Sequence, residues 1–300
     1  MAIFNEHGEY VSKTSYSEII NECIFYSNNF TYNYIPLNEE NVFKTIWKKI
    51  VEAAEFIWKQ LIRFKDFLKK TFSNFGKKFS EMGTKLKAKK SNYNPELKFN
   101  GYRFNIENSV RNLNKTVSNT INESILDLDQ SITTDFFSAR LNVSDGNEYV
   151  KQSCDKVIGM LLDQNYIGGP ENPNLDESMK TFIYGSVSPI PLKLKDIGNI
   201  DIIIDYLKDI DKDIKMVDES TNCFRDFTDK AKWLNEKHAK SLNMNNHLSS
   251  HLRAMLLQMD SIQRYSNHCM KGIKDRSNQY LCITRSLLNN ESVAEITFAE

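Results

Sequence analysis

The sequence predicts a mainly α protein built from long amphipathic helices, with a small β-hairpin near residues 97–106 and a C-terminal antiparallel helical hairpin. Three observations support this fold class. The 300 residues include only 11 glycines and 6 prolines, the residues that most often interrupt helices. In several segments apolar residues recur at alternating steps of three and four, which is the period of an amphipathic helix. Two such stripes in the C-terminal third continue for five or more heptads, as in long helical bundles.

The chain divides into four predicted regions. Residues 1–40 form a polar, tyrosine-rich arm with a short helix near Ser15–Ser27. Residues 41–167 contain a basic amphipathic helix, the β-hairpin and further helices. Residues 168–198 hold four of the six prolines and four of the eleven glycines, which predicts a connector of one or two short strands or an extended loop. Residues 199–300 form the long helical hairpin.

The first long helix has an apolar stripe that continues for about ten turns. At 1.5 Å per residue, a helix of this length measures roughly 60 Å. The apolar positions of the stripe are Phe43, Trp47, Ile50, Ala54, Ile57, Leu61, Phe64, Leu68, Phe72, Phe75, Phe79 and Met82.

The same segment concentrates the positive charge of the chain. Between Asn41 and Lys90 there are 14 basic and 4 acidic residues, whereas the whole chain has 39 of each. A basic segment with an acidic remainder either pairs within the chain or meets an anionic partner. The candidate residues for contact with a membrane or with another anionic partner are Trp47, Lys48, Lys49, Trp58, Lys59, Arg63, Lys69, Lys70, Lys77, Lys78, Lys87, Lys89 and Lys90.

Three interpretations of this helix remain open. In the first, its stripe fills the core of a bundle and its lysines face water. In the second, the helix lies on a membrane, where the lysines meet anionic head groups and Trp47 and Trp58 enter the acyl boundary. In the third, the lysines bind nucleic-acid phosphates. The aromatic residues of the helix lie on the apolar stripe rather than between the lysines, which argues in part against the third interpretation. The basic tail Lys85–Lys90 fits the third interpretation better.

The β-hairpin is predicted from the dipeptide Asn100-Gly101. Alternating apolar residues precede and follow it between Leu97 and Ile106. A type I′ turn requires positive φ at both central residues, and asparagine followed by glycine meets that requirement best.

Further helices are predicted on both sides of the connector. The helical period returns at Val110 and continues to Ile132, and a shorter helix covers Glu148–Gln164. After residue 198, the two longest stripes are separated by the asparagine-rich segment Asn243–Asn246. This segment predicts the corner of an antiparallel hairpin, although one continuous helix also preserves the apolar register.

The sequence lacks the residue patterns of catalytic and metal sites. His247 and His251 are four residues apart, but the glutamate of a zinc-protease motif is absent, so a packing role is expected. The acidic run Asp209–Glu219 keeps the helical stripe and lacks the central glycine of a calcium loop, which predicts a solvated helix face. The five cysteines are scattered without a C-x-x-C spacing and are expected to be reduced thiols. We therefore predict a non-enzymatic protein with no cofactor.

Four segments follow one another in a recognisable order: the polar opening MAIFNEHGEY, the cationic aromatic helix IWKKIVEAAEFIWKQLIRFKDFLKKTF, the run LKFNGYRF, and the helix NHCMKGIKDRSNQYLCITRSLL. This order resembles that of the helical internal head proteins of large tailed bacteriophages. The resemblance implies a structural role inside the virion, assembly with copies of itself or other virion proteins, and contact with DNA or a membrane during genome delivery. It also implies that Glu300 is an end produced by a prohead protease.

The resemblance implies synthesis in the host cytoplasm and residence in the virion. The N-terminal residues have neither the basic nor the apolar region of a signal peptide. A membrane-active protein of the α-helical pore-forming type is the alternative, in which long helices cover an apolar segment until it is released.

Overall fold

The computed structural model describes residues 39–90, 93–134, 146–238 and 246–289. Helices dominate these residues and two short strands form an antiparallel sheet, so the predicted mainly α fold is confirmed. The predicted helix near Ser15–Ser27, residues 243–245 of the predicted corner and the predicted processed end at Glu300 lie outside the described residues.

The helices and strands follow one another along the chain with these bounds: α1 (Glu39–Ala88), β1 (Lys98–Gly101), α2 (Ile106–Lys115), a π-helix (Thr116–Ile121), α3 (Asn122–Thr134), α4 (Gly146–Leu162), α5 (Leu175–Tyr184), β2 (Ile190–Lys193), a 3-10 helix (Leu194–Ile197), α6 (Asn199–Lys208), α7 (Asp211–His238) and α8 (Asn246–Asn289).

Helix α7 lies antiparallel to α1. Near the start of α1, the indole N–H of Trp47 donates a hydrogen bond to the carbonyl oxygen of Ala231, at 3.0 Å. Further along α1, the Lys65 ammonium is 2.7 Å from a carboxylate oxygen of Asp218. The partner residue on α7 therefore moves toward its N-terminus as α1 advances, and much of the apolar stripe of α1 is covered by α7.

Helices α7 and α8 run antiparallel, as the predicted hairpin requires, but they pack mainly on other helices, α1 among them, rather than on each other. The guanidinium of Arg276 in α8 is 2.5 Å from the carboxylate of Asp213 at the start of α7, although the two residues are 63 positions apart. One continuous helix would separate them by about 95 Å, so the continuous alternative is excluded. Helix α8 consequently runs parallel to α1, and the Lys89 ammonium donates to the carbonyl oxygen of Leu288 at 3.4 Å.

The remaining helices complete one apolar core. Helix α6 packs on the second half of α1, where Gly83 lies against Leu207. Helix α4 packs on α8, with Cys154 and Ala254 in contact. Burial of large side chains drives this association. The largest fully buried side chains include Trp47, Tyr184, Phe224, Phe227 and Tyr265.

A π-helical turn corrects the register between α2 and α3. The predicted apolar residues Val110, Leu113, Val117, Ile125 and Leu128 are all buried. Val117 and Ile125 are eight residues apart. Two turns of a regular α-helix contain about seven residues, so this spacing is about one residue longer than two turns. A π-turn accommodates one extra residue. The buried residues of α2 and α3 therefore remain on the same face of the helix across this turn.

The predicted β-hairpin at residues 97–106 is wrong in its pairing. Strand β1 pairs with β2, with Lys98 opposite Lys193 and Gly101 opposite Ile190, so its partner comes from the connector rather than from residues 102–106. The backbone N–H and C=O of Tyr102 instead bond to the side-chain amide of Gln279, at 2.8 and 3.0 Å. Long-range packing therefore overrides the local turn signal.

The connector is more regular than predicted. Residues 175–184 form helix α5, whereas one or two short strands or an extended loop were predicted for this region. The sequence suggests no helix there because glycines and prolines surround it. Helix α5 buries Leu175, Met179, Ile183 and Tyr184 against the rest of the core, and Gly185 ends it with a φ of 78°. One apolar cluster includes residues before, within and after the connector.

Candidate functional site

The apolar stripe of α1 is a core element. Its side chains from Trp47 to Phe72 are buried against the neighbouring helices, with the same pattern continuing at Phe79 and Leu86. Phe75 and Met82 are partly buried and pack on the same cluster. The stripe is therefore covered within the chain, as the bundle interpretation of this helix expects.

The two predicted tryptophan contacts take part in this packing. Trp47 has no exposed surface and donates its indole N–H to Ala231, so in this structure it is a core residue rather than a surface anchor. Trp58 is half-buried and packs against the core. The sequence-based prediction for Trp47 fails because α7 covers a side of α1 that the sequence alone leaves unassigned.

The basic residues in the first half of α1 are mostly neutralised by nearby acids. Lys48 and Lys59 lie 3.7 and 3.3 Å from Glu52 and Glu55 one turn away. Lys232 of α7 is 2.6 Å from Glu55, and its hydrogen bond is the main cause that holds the pKa of Glu55 below the ordinary value.

The next residues of this half follow the same trend. Lys65 holds the pKa of Asp218 low through its hydrogen bond. Lys49 is half-buried, and Arg63 is exposed. The first half of α1 therefore uses much of its charge within the chain.

The second half of α1 presents a different surface, which we call the lysine face. From Lys69 to Lys90 there are eight lysines and one glutamate, Glu81. All eight lysines are exposed. The lysine face comprises Lys69, Lys70, Lys77, Lys78, Lys85, Lys87, Lys89 and Lys90.

Most of these ammonium groups lack a carboxylate neighbour. Lys90 is 2.6 Å from Asp201, and Lys89 bonds to the carbonyl oxygen of Leu288. Within the part of the chain that the structure describes, no carboxylate comes within 4.0 Å of the other six. Between Lys69 and Lys87, which are about 27 Å apart along the axis, the positive charge is consequently left without a counter-charge in direct contact.

The lysine face is polar throughout. The large apolar side chains that are exposed in the described residues are Leu126, Ile167, Val187, Ile202 and Trp233, and none of them belongs to α1. Phe72 and Phe79 are buried, and Phe75 lies beneath the Lys78 ammonium, 5.8 Å from its ring centre. The face therefore offers mainly charge, because its apolar side chains are buried or, like Phe75 and Met82, partly buried.

Seven of the predicted contacts, Lys69, Lys70, Lys77, Lys78, Lys87, Lys89 and Lys90, lie together on the lysine face. Lys85 also belongs to the lysine face. It was not among the candidate contacts predicted from the sequence and was named there only as the first residue of the basic tail. The acids that neutralise Lys65 and Lys90 are 153 and 111 residues away in sequence. For this reason the local sequence pattern could not show which lysines have a carboxylate partner and which do not.

A second charged group lies inside the bundle. Arg276 contacts Asp213 at 2.5 Å and Glu107 at 2.7 Å, and the Tyr206 hydroxyl donates to Asp213 at 2.9 Å. The predicted solvated face at Asp209–Glu219 is therefore wrong at Asp213, which is buried. Burial raises the pKa of Asp213. The group joins α2, α6, α7 and α8, so we regard it as an internal brace.

The histidine pair has the expected packing role where it is described. His251 is buried, and its Nδ1 is 2.8 Å from the Tyr149 hydroxyl of α4. The side chain of His247 lies outside the described positions. No three histidine, cysteine, aspartate or glutamate side chains group as metal ligands among the residues that were placed. The cysteines at 154, 223, 269 and 282 are free thiols.

Comparison of the chain with protein-family models, with curated proteins and with solved structures found no match. Among the helices of the described ranges, none has an apolar stretch long enough to cross a membrane. The lysine face is thus the surface feature from which a function is inferred.

Proposed function

We propose that this chain is a non-catalytic structural protein that binds nucleic-acid phosphates through the lysine face, without reading base sequence. The observation that carries the proposal is the set of six exposed lysines, with no carboxylate in contact among the described residues, on the second half of one helix. Each lysine that neutralises a phosphate releases condensed counterions, which makes such contacts favourable at low salt.

The composition of the lysine face favours a phosphate backbone over a lipid surface. A helix that binds in the membrane interface needs an accessible apolar face, and here the apolar face of α1 is covered by α6, α7 and α8. Recognition of unpaired bases generally uses exposed aromatic rings. The phenylalanines of this segment are buried or partly buried, so the backbone phosphates are the best-matched ligand.

The biological setting that we propose is the interior of a virion. It is based on the resemblance of the segment order to internal head proteins of tailed bacteriophages. In that setting the helical core would be a structural unit that associates with its own copies or with other virion proteins. The lysine face would then neutralise part of the charge of the packaged nucleic acid.

The binding proposal is tested by fluorescence anisotropy with a labelled duplex of about 20 base pairs, with salt varied between about 50 and 200 mM. Contacts by four to six lysines predict a slope between about −4 and −5 for the logarithm of the association constant against the logarithm of salt concentration. The double variant Lys77→Gln/Lys78→Gln should reduce the magnitude of this slope by about 2.

A matched control removes two exposed lysines of α4, in the variant Lys151→Gln/Lys156→Gln. This control should bind like the unaltered chain. No binding of the unaltered chain at low salt would contradict the proposal, as would equal losses in the two variants. Binding to anionic vesicles with dye leakage, and no binding to the duplex, would instead support the pore-forming alternative.

A further inference from the structure

The two edges of the lysine face have different neighbours. At one edge, Lys90 pairs with Asp201 of α6, and Gly83 lies against Leu207 of the same helix. At the other edge, Lys89 bonds to a carbonyl oxygen at the end of α8. The lysine face is therefore bordered by α6 on one side and by α8 on the other.

Helix periodicity assigns the other lysines to these edges. Residues three, four, seven or eleven positions apart lie on the same side of an α-helix. Lys78 and Lys85 are eleven and four positions before Lys89, so these three form the α8-side lysines. Lys87 is four positions after Gly83, which lies against α6, and Lys69 is two heptads before Gly83, so Lys69 and Lys87 are the α6-side lysines together with Lys90. Lys70 and Lys77 occupy the crest between the two sets.

Acidic residues border the α6-side lysines. Asp201 and Asp205 of α6 are both exposed. Asp218 of α7 has a pKa lowered mainly by its hydrogen bond from Lys65, and the charge of Lys69 lowers it further. An incoming phosphate on this side would approach carboxylates as well as ammonium groups, and like charges repel it.

No acidic residue borders the α8-side lysines in the adjoining turns of α8. Residues 278–289 of α8 contain no aspartate or glutamate, and they include the exposed Arg285. Leu288, whose carbonyl oxygen binds Lys89, lies one turn after Arg285. Residues 278–289 of α8 therefore add no negative charge beside the α8-side lysines, in contrast to α6 and α7 on the other side.

We propose that one phosphate backbone of duplex nucleic acid follows the α8 side of the lysine face and contacts Lys78, Lys85 and Lys89, with Lys77 on the crest. This inference rests on the proposed function and adds to it the path of the bound strand. Lys69 and Lys87 lie on the side that carries the carboxylates of α6 and α7, so they contribute less to binding than the α8-side lysines.

Glu81 marks the same path with an opposing charge. It is exposed and lies three positions after Lys78 and four before Lys85. A phosphate that contacts both lysines passes close to this carboxylate. Removal of the Glu81 charge should therefore strengthen binding, which is a change that loss of folding cannot imitate.

The test compares three variants with the unaltered chain in the salt-dependent duplex assay. Lys78→Gln/Lys85→Gln removes two α8-side lysines, Lys69→Gln/Lys87→Gln removes the same charge from the α6 side, and Glu81→Gln removes the opposing charge. The first should reduce the magnitude of the salt slope by about 2, and the second by less than about 0.5. The third should bind the duplex more tightly than the unaltered chain at every salt concentration.

Two results would overturn this path. One is an equal or larger loss from Lys69→Gln/Lys87→Gln, and the other is an unchanged affinity of Glu81→Gln. In both cases the unaltered chain still binds the duplex, and the proposed function survives. If the unaltered chain does not bind at low salt, the proposed function itself fails. All substituted residues are exposed, and circular dichroism checks that each variant keeps its helical content.

Discussion

Trp47 supplies both packing and a hydrogen bond at the junction of α1 and α7. It is fully buried, and its indole N–H is 3.0 Å from the carbonyl oxygen of Ala231. A buried tryptophan contributes a large apolar surface, and its N–H normally requires a partner. A tryptophan that anchors a helix to a membrane has an exposed ring instead. Substitution of Trp47 therefore distinguishes a core residue from a membrane anchor.

We expect Trp47→Ala to lower the free energy of unfolding by about 3–5 kcal/mol, because it leaves a large cavity. Trp47→Phe should cost less, because it keeps a large apolar ring and loses one hydrogen bond to Ala231, which is worth about 0.5–1.5 kcal/mol. Urea unfolding followed by circular dichroism measures both. Loss of vesicle or duplex binding in Trp47→Phe, with unchanged stability, would contradict the core assignment.

Arg276 is the residue on which the internal brace depends. Its side chain is buried and is the cation in contact with the buried Asp213. Removing one partner of a buried ion pair leaves the other charge in a poorly solvated site, which typically costs about 3–5 kcal/mol. We expect this loss for Arg276→Met at neutral pH, and a change within about 0.5 kcal/mol for the exposed control Arg225→Met.

The loss in Arg276→Met should depend on pH. Burial raises the pKa of Asp213, so the folded state holds its carboxyl proton to higher pH than the unfolded state does. A group of this kind contributes stability below its unfolded pKa and loses it as pH rises through the folded pKa. The variant should therefore be less destabilised near pH 4 than near pH 7. A pH-independent loss in denaturant unfolding would contradict this explanation.

At the scale of elements, β1 shows the limit of local pattern. The dipeptide Asn100-Gly101 has the composition of a type I′ turn, yet Gly101 is the last residue of a strand. Glycine at this position lets the side chain of Gln279 approach the backbone, because a Cβ at residue 101 would be 2.5 Å from Oε1 of Gln279. The amide of Gln279 then takes the place of a third strand by bonding to both backbone groups of Tyr102.

Gln279→Leu tests this role of the amide. The substitution removes both hydrogen bonds that Gln279 makes to the backbone of Tyr102, and each is worth about 0.5–1.5 kcal/mol. We expect a fall in the free energy of unfolding of about 1–3 kcal/mol. The exposed Gln152→Leu is the matched control, since its amide bonds to Glu148 on the surface of α4. Similar stabilities for the two variants would contradict the assigned role.

The amphipathic helices could be predicted because their period is local information. The stripe from Trp47 to Phe79 occupies the buried side of α1 as the spacing indicates. Helix α5 could not be predicted in the same way, because its short buried face lies among turn-forming residues. The π-turn at Thr116–Ile121 could not be predicted either, because an eight-residue step such as that from Val117 to Ile125 also occurs on the apolar face of a regular helix.

At the scale of the whole molecule, the partners of each helix decide which charges remain available. Helix α1 packs on α7 and on α8, which a periodic sequence does not specify. The acids of α6 and α7 then neutralise Lys90 and Lys65, and they leave the lysines between them exposed on one surface. The charge surplus of α1 was visible in the sequence, whereas its division into paired and unpaired lysines depends on tertiary contacts.

The most direct test of the central claim is lysine-reactivity footprinting of the intact chain with and without duplex DNA, read by mass spectrometry. We predict that the duplex lowers the acetylation of Lys77, Lys78 and Lys85 and leaves Lys151 and Lys156 unchanged. The claim is contradicted if the duplex binds while the lysine face keeps its full reactivity, or if lysines over the whole surface are protected to the same extent.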